Sequence, residues 1–329
     1  MTRPLELVGL RKAFGSVTAV DGVDLRVEPS ELLTLLGPSG SGKTTILRMI
    51  AGFEAPTAGR VLIDGQDVSA LSPAERGVGF VFQHYALFPH MSVADNIAYP
   101  LRMRRVPKRD RRARVEHALG LVRLEGLGDR APTELSGGQQ QRVAFARALV
   151  FGPRVLLMDE PLGALDRALR IELQDELRRI HRETGVTVLH VTHDEEEALI
   201  LSDRVGVLRD GRLLQEGTPR ELFERPADAF VARFFGECNL LEDSAGRVLV
   251  VRPASVGIGS PNGAGPLVVT IPAVVEDVVF LGTTVRVACK SEGLGRLVAE
   301  APARSASGIV AGDAVTLWYD PAEAVRLPA

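Results

Sequence analysis

The sequence is short of several features, and each shortage narrows the class of protein. It has only two cysteines, Cys238 and Cys289, with no C-x-x-C or histidine spacing, so we expect reduced thiols rather than a disulfide or a metal site. Its net charge of −3 gives no overall reason to expect nucleic-acid binding. No apolar run approaches the ~18 residues of a membrane-spanning helix. The opening residues, MTRPLELVGL, lack a signal-peptide pattern, so we expect the protein to remain in the cytoplasm.

The 329 residues are enough for two domains, and the pattern changes near Gly236. Before it, alternating strand-like and helix-like segments predict an α/β domain over residues 1–236, with a helical subdomain at about 84–150. Strands are predicted at LELVGLRKAF, VDLRVEP, RVLI and GFVFQ, with Asp64-Gly65 as a turn. After it, the runs RVLVV, LVVTI, VRVACK and VTLWY predict a small all-β domain over residues 237–329.

A basic stretch, RMRRVPKRDRRARVEH, runs from Arg102 to His117 inside the helical region. The stretch is short, and only Tyr99 lies near it to stack on bases. A solvated helix face is therefore favoured over a nucleic-acid surface, and no nucleic-acid partner is expected.

The phosphate loop, GPSGSGKTT, is a full match to the G-x-x-x-x-G-K-[ST] pattern. It follows an apolar run and precedes a helical pattern, so its amides and the helix N-terminus would face an anion. Its glycines allow a tight turn, Lys43 can reach the β- and γ-phosphates, and Thr44 can ligate Mg²⁺. Nucleoside triphosphate binding is predicted for its residues, which are Gly37, Pro38, Ser39, Gly40, Ser41, Gly42, Lys43, Thr44 and Thr45.

Two further segments carry chemistry. The apolar strand VLLMDEP ends in Asp159, which can hold Mg²⁺, and Glu160, which can polarise an attacking water. Taken alone, it is equally typical of a core strand running into a polar turn. The signature segment, LSGGQ at Leu135–Gln139, precedes a helical run, so Ser136 is a predicted N-cap and the glycine amides after it form a second anion-binding helix terminus.

The phosphate loop, LSGGQ, the acidic strand end, Gln83 and His193, in this order and spacing, resemble the ATP-binding subunit of an ABC transporter. The resemblance covers residues from about Leu5 to Phe235 and implies a P-loop NTPase fold that uses ATP and Mg²⁺. It also implies a homodimer that sandwiches two nucleotides head to tail. The further partners would be integral membrane permease subunits and a separate solute-binding protein, at the cytoplasmic face of the bacterial inner membrane.

The resemblance also implies roles for individual residues. Glu160, His193 and Gln83 would be catalytic, and Thr44, Gln83 and Asp159 would hold Mg²⁺. Ser136, Gly137, Gly138 and Gln139 would contact the γ-phosphate bound to the other subunit. Phe14 would stack on adenine, where relatives often have Tyr, and Asp166 would couple the two sites. Gly163 stands where many relatives have Ser, which would alter a contact across the dimer.

Two expectations concern the surroundings of this site. The cluster YALFPHM, with Tyr85, Phe88 and His90, fits a socket for a helix of the membrane subunit, although local core packing explains each side chain about equally well. Thr192 is the expected N-cap of the helix after His193, with Glu195 completing a capping box.

The tail resembles the OB-like (TOBE-type) domain that bacterial importers append to this subunit. FFGECNLL, VVRPASV and VEDVVFLGTTVRVAC carry that resemblance, and the subgroup most similar imports spermidine/putrescine or ferric iron. ATP hydrolysis that energises polyamine import is therefore the expected function, with ferric iron, sulfate, phosphonate or sugar import as alternatives.

Three other functions remain to be weighed. A non-transport ABC ATPase acting on nucleic acid or the ribosome usually carries two cassettes or a coiled-coil insertion, whereas this chain has one phosphate loop and no heptad run. An export role is disfavoured because exporters more often fuse membrane spans to the cassette. A regulatory tail that senses a small molecule would add to the transport function rather than replace it.

Overall fold

The computed structural model describes residues 4–163, 166–243, 245–261, 268–306 and 308–328. The chain divides after Pro219 into two compact units, residues 1–219 and 220–329. The domain boundary placed near residue 236 from the sequence stays a prediction. Within the described ranges, no helix is both long enough and apolar enough to cross a membrane.

The first unit alternates strands and helices. Its strands are β1 (Leu5–Phe14), β2 (Val17–Val27), β3 (Leu32–Leu36), β4 (Ala58–Ile63), β5 (Gln66–Asp67), β6 (Val78–Val81), β7 (Val155–Asp159), β8 (Thr187–Thr192), β9 (Arg204–Arg209) and β10 (Arg212–Gly217). Its helices are α1 (Lys43–Ala51), α2 (Val93–Met103), α3 (Lys108–Leu121), α4 (Gly137–Leu149), α5 (Arg167–Thr184) and α6 (Glu195–Leu201), with a 3₁₀ turn at Pro132–Glu134.

A six-stranded sheet in the order β10-β9-β3-β8-β7-β6 forms the centre of this unit. Every neighbouring pair is parallel except β9 and β10, and the strands β3 and β8 are buried along their whole length. Parallel strands end at one edge, where ligands of open α/β sheets bind. The phosphate loop follows β3, Glu160 follows β7, His193 follows β8 and Gln83 follows β6 by two residues. The topology therefore gathers four separate motifs at one edge.

A second, antiparallel sheet has the strand order β2-β1-β4-β5. Its side chains pack in the same core cluster as those of β3 and α1. The predicted turn is confirmed, because Asp64 and Gly65 both have positive φ (57° and 71°), as a two-residue hairpin turn needs. The β1–β2 hairpin brings the carbonyl of Ala19 against the phosphate loop.

Helices α2, α3 and α4 pack on a core that includes Ile97, Val143 and Phe145. The basic stretch spans the end of α2 and the first ten residues of α3, and most of its cations are exposed. Arg112 pairs with Glu116 on the same helix, and the guanidinium of Arg104 lies 3.7 Å from the ring centroid of Phe151. These contacts are those of a solvated helix face.

The second unit is mainly antiparallel β-structure. It contains α7 (Pro219–Glu224), α8 (Ala229–Phe234), β11 (Asn239–Glu242), β12 (Val248–Val251), β13 (Gly257–Ile258), β14 (Val269–Phe280), β15 (Thr284–Ser291), β16 (Gly295–Pro302), β17 (Ala314–Tyr319) and β18 (Val325–Arg326). Its sheets have the orders β11-β12-β18 and β13-β17-β14-β15-β16. The predicted run LVVTI begins at Leu267, outside the described residues, and β16 was not predicted.

Candidate nucleotide site

The phosphate loop has a backbone that only glycine allows at two positions. A Cβ on Gly37 would lie 2.3 Å from the carbonyl oxygen of Leu208, and one on Gly42 would lie 2.4 Å from that of Ala19. Gly42 is also the N-cap of α1, with φ of 100°, and has no side chain to cap the helix. The first backbone bond of α1 runs from Ile46 N to Gly42 O (3.0 Å). The amides of the first helical turn therefore have no acceptor within the helix.

Lys43 lies folded over this loop. Its Nζ donates to the carbonyls of Gly37 (2.7 Å) and Pro38 (2.9 Å), and its side chain is buried. Burial lowers the pKa of the ammonium, and the carboxylates of Glu160 and Asp159 oppose that shift. The cation is thus already desolvated and surrounded by oxygen atoms.

Thr44 and Asp159 form the oxygen-rich part of the site. The Thr44 hydroxyl donates to Oδ1 of Asp159 at 3.0 Å. Burial raises the pKa of the Asp159 carboxyl; the bond from Thr44 opposes this shift, whereas the charge of Glu160 adds to it. A hydroxyl and a carboxylate are ligands that Mg²⁺ takes, and a cation would stabilise this half-buried carboxylate, so these residues fit the metal.

Glu160, which follows β7, contacts residues that follow two other strands, β6 and β8. Its Oε2 lies 3.4 Å from Nε2 of Gln83 and 3.2 Å from Nδ1 of His193. Its amide donates to the carbonyl of Val191 (2.9 Å), and its φ of 44° is unusual for a residue other than glycine. Glu160 is one-fifth exposed and His193 just over half exposed. Gln83 and His193 therefore both contact the predicted base Glu160, which is partly open to solvent and has a strained backbone conformation.

The signature segment forms the N-terminus of α4. The Ser136 hydroxyl accepts from Gln139 N (3.3 Å), and Oε1 of Gln139 accepts from Ser136 N (3.0 Å), which confirms the predicted N-cap and makes a full capping box. A Cβ on Gly138 would lie 2.7 Å from Cδ1 of Leu169. Among the described residues, no hydrogen bond joins Ser136, Gly137, Gly138 or Gln139 to the phosphate loop.

The two remaining predicted residues are Phe14 and Asp166. Phe14 ends β1 and is 48% exposed, with Nζ of Lys12 at 4.7 Å from its ring centroid. It shares the β1–β2 hairpin with Ala19, whose carbonyl adjoins Gly42 of the phosphate loop. Asp166 is the N-cap of α5 and accepts from Leu169 N at 3.0 Å.

One local prediction was wrong. Asp194, rather than Thr192, is the N-cap of α6, and its carboxylate accepts from the amides of Glu196 (2.9 Å) and Glu197 (3.2 Å). Thr192 is the last residue of β8, and its hydroxyl accepts from Asp194 N instead. The N-cap lies two residues later than predicted because β8 extends to Thr192, and His193 is then the turn residue before the helix.

Sequence reasoning missed two residues of α4 that support the site. Arg147 is buried, and its guanidinium donates to the carbonyls of Tyr85 and Ala86, both at 2.7 Å, in the segment after Gln83. Gln141 is fully buried, and its amide donates to the carbonyl of Pro161, next to Glu160. An arginine inside the apolar run VAFARAL was the available signal for the first.

The predicted socket is partly packed. Phe88 lies 4.7 Å, between ring centroids, from Tyr99, while His90 is exposed. The exposed aromatic surface is instead formed by Phe53 (45% exposed) and Phe82 (38%), which stack at 6.1 Å beside Gln83. The socket stays a prediction, and the sequence analysis did not include these two rings.

Comparison with known proteins defines the family. The family model of the ABC transporter matches residues 20–163, and that of the TOBE domain matches residues 249–327. The Spermidine/putrescine import ATP-binding protein PotA of Rubrobacter xylanophilus is 44% identical over 344 residues, which cover 96% of this chain and 91% of that protein. This chain is a P-loop ATPase-fold protein with an OB-like C-terminal region. It belongs to the ABC transporter ATP-binding family, as the sequence predicted.

A second relative and a solved structure are also similar to this chain. The Fe(3+) ions import ATP-binding protein FbpC of Rhizobium etli is 55% identical over 232 residues, which cover 70% of this chain and 66% of that protein. A bacterial ABC transporter cassette solved as a dimer is 34% identical with a TM-score of 0.58, over 66% of this chain and 99% of the cassette. The chain thus spans slightly less than two thirds of the length of the Rhizobium protein.

Proposed function

We propose that this chain is the ATP-hydrolysing subunit of an ABC importer. The observation that carries the proposal is one carboxylate oxygen, Oε2 of Glu160, which faces both Gln83 and His193 beside the Thr44–Asp159 pair. Hydrolysis of a phosphoanhydride requires a positioned water and compensation of phosphate charge, and this cluster offers groups for both.

The reaction assigns a task to each group. Glu160 accepts a proton from the attacking water, and the imidazole of His193 holds the carboxylate in place and faces the γ-phosphate. Lys43 exchanges the carbonyls of Gly37 and Pro38 for phosphate oxygens when ATP enters. Thr44, Asp159 and Gln83 would hold Mg²⁺, which neutralises phosphate charge when bound. Phe14 stacks on the adenine, and the amides of α1 bind the phosphates.

The functional unit is a homodimer. The signature residues Ser136, Gly137, Gly138 and Gln139 complete the site of a second copy, and Asp166 lies in the segment that couples the two sites. Two observations support this: the signature helix makes no hydrogen bond to the phosphate loop within the described chain, and a related cassette was solved as a dimer. Hydrolysis then requires closure of the dimer.

The remaining partners follow from the import function. Integral permease subunits dock beside Gln83, where the exposed rings of Phe53 and Phe82 adjoin the segment with Tyr85, Phe88 and His90. A separate solute-binding protein delivers the solute. The chain works peripherally, at the cytoplasmic face of the bacterial inner membrane.

Glu160→Gln tests the catalytic assignment. We expect turnover to fall by about 10²–10⁴-fold, the range for loss of a general base, while ATP affinity stays within a few-fold. The variant should accumulate as an ATP-bound dimer in size-exclusion chromatography with Mg²⁺. Glu196→Gln, which removes an exposed carboxylate on α6, is the control. Turnover of Glu160→Gln equal to that of the control would show that another group is the base.

The transported solute is proposed to be a polyamine, with ferric iron as an equally supported alternative. Relatives named for spermidine/putrescine import and for Fe(3+) import are 44% and 55% identical over their matched residues. Uptake of labelled spermidine, putrescine and ferric iron by cells with the wild-type or Glu160→Gln gene separates the two. The solute whose uptake the mutation abolishes is the substrate, and retention of all three would exclude both.

A further inference from the structure

A buried polar cluster lies beneath the segment that carries His193, and the reaction above does not use it. His190 lies on β8, three residues before His193 in the sequence, and is fully buried. Glu197, four residues after His193 on α6, is 1% exposed. Thr34, on the strand that leads to the phosphate loop, is also fully buried.

Hydrogen bonds join these groups across three elements. Nδ1 of His190 lies 3.1 Å from the Thr34 hydroxyl, which in turn bonds the hydroxyl of Ser202 at the end of α6. The Thr192 hydroxyl bonds the Glu197 carboxyl. Side chains on both sides of His193 are therefore tied to β3 and α6.

The cluster also contains two polar atoms without a partner. Nε2 of His190 and Oε2 of Glu197 are both buried and unpaired, and they lie 3.7 Å apart. That separation is longer than a normal hydrogen bond, so an approach of less than 1 Å would satisfy both atoms. Two buried polar atoms that lie this close together without hydrogen-bond partners require an explanation.

Burial decides which of the two groups can titrate. It lowers the pKa of His190 to about 3, so the ring is neutral at working pH. It raises the pKa of the Glu197 carboxyl to about 7; the Thr192 hydroxyl opposes the shift, Asp194 adds to it, and Arg170 and His193 oppose it. Arg170, on α5, is itself paired with Asp194 at 2.8 Å.

We propose that Glu197 is a positioning residue for His193: together with His190 it anchors the segment Thr192–Asp194, so that the imidazole of His193 stays within reach of Glu160. The pair has two arrangements. An ionised Glu197 accepts from Nε2–H of His190, whose Nδ1 then accepts from Thr34. A protonated Glu197 donates to Nε2, and Nδ1–H donates to Thr34. The direction of the hydrogen-bond chain therefore follows the proton on Glu197.

The test compares three variants. Glu197→Gln keeps the shape and can donate to Nε2 at every pH, Glu197→Ala removes the anchor, and Glu196→Gln changes an exposed neighbour on the same turn. We expect the wild type and Glu196→Gln to show a change in kcat near pH 7 that Glu197→Gln lacks. Glu197→Ala should lower kcat by at least roughly tenfold, because small misplacements of reacting groups have such effects, with the KM for ATP unchanged.

A spectroscopic measurement separates this inference, which rests on the proposed ATPase function, from that function itself. Long-range ¹H–¹⁵N spectra of histidine-labelled protein report the tautomer of His190. It should change near pH 7 in the wild type and stay as Nδ1–H in Glu197→Gln. Identical tautomer behaviour in both proteins, or loss of ATP affinity together with kcat in Glu197→Ala, would overturn the proposal. A wild type that hydrolyses no ATP would contradict the proposed function, while the tautomer would still test the pair.

Discussion

In the described part of the chain, the N-termini of α1 and α4 are both suited to anions, but their amides are capped in opposite ways. At α1 the N-cap is Gly42, with no side-chain cap, so the first amides are left for a ligand. At α4 the N-cap is Ser136, and Ser136 and Gln139 cap each other's amides. The first terminus keeps amides without an acceptor in the helix, whereas the second pairs the amides of Ser136 and Gln139 within its own capping box. Under the proposed function, the first would hold the phosphates of its own nucleotide and the second would contact the γ-phosphate bound to another copy.

The largest effect is expected from a substitution at Gly42, the N-cap of α1. Gly42→Ala would place a Cβ 2.4 Å from the carbonyl oxygen of Ala19, at a φ of 100°. We expect the Kd for ATP to rise roughly 100-fold, since about 3 kcal/mol of strain corresponds to that factor. Binding of a fluorescent ATP analogue measures it.

Gly40→Ala is the matched control for that substitution. Gly40 also has positive φ (83°), but nothing lies within 4 Å of its Cβ position. Its effect on the Kd should be about tenfold or less, from backbone strain alone. Equal effects of the two variants would mean that contact with Ala19 does not shape the loop.

A mixing experiment tests whether the capped terminus serves a second subunit. Lys43→Ala removes the phosphate-gripping ammonium, and Gly138→Asp adds a carboxylate where the γ-phosphate of the other subunit would bind. Each variant alone should be nearly inactive. An equal mixture should recover roughly a quarter of wild-type ATPase activity, because half of the dimers are mixed and each keeps one intact site of two. A mixture no more active than its components would refute the trans arrangement.

The smallest effect should come from removing the cap itself. Ser136→Ala loses one N-cap, which costs about 1 kcal/mol and a few degrees in Tm. Ser92→Ala removes a similar cap on α2, where the hydroxyl accepts from Asp95 N at 3.1 Å, and should cost the same. Only Ser136→Ala should also lower ATP hydrolysis. Equal hydrolysis in both variants would mean that the cap is purely structural.

Residue patterns predicted the first unit well because its motifs are local. β1 matches the predicted LELVGLRKAF residue for residue, and the N-cap at Ser136 is confirmed. The capping error at Thr192 arose because β8 runs on to that residue, which parallel pairing with β3 decides. β16, GRLVAEAP, was missed because Gly, Ala, Glu and Pro are weak strand formers, and pairing with β15 overrides that preference.

The contacts that organise the site could not be predicted from the sequence. The positive φ of Glu160 and the bonds of Arg147 and Gln141 depend on elements far apart in the chain. The sequence could single out Gln83, Glu160 and His193 as candidates for catalysis, but it could not predict the orientation of their side chains.

Three hydrogen bonds from two residues of α4 tie that helix to two segments of the site. Gln141, one turn from its N-terminus, is tied to Pro161 beside Glu160, and Arg147, near its C-terminus, is tied to Tyr85 and Ala86 after Gln83. The helix is thus fixed at two points to the segments that follow β7 and β6. Under the proposed function, a displacement of either segment by nucleotide would also move Ser136 at the N-terminus of α4, and occupancy of one site would in this way adjust the donors offered to the other.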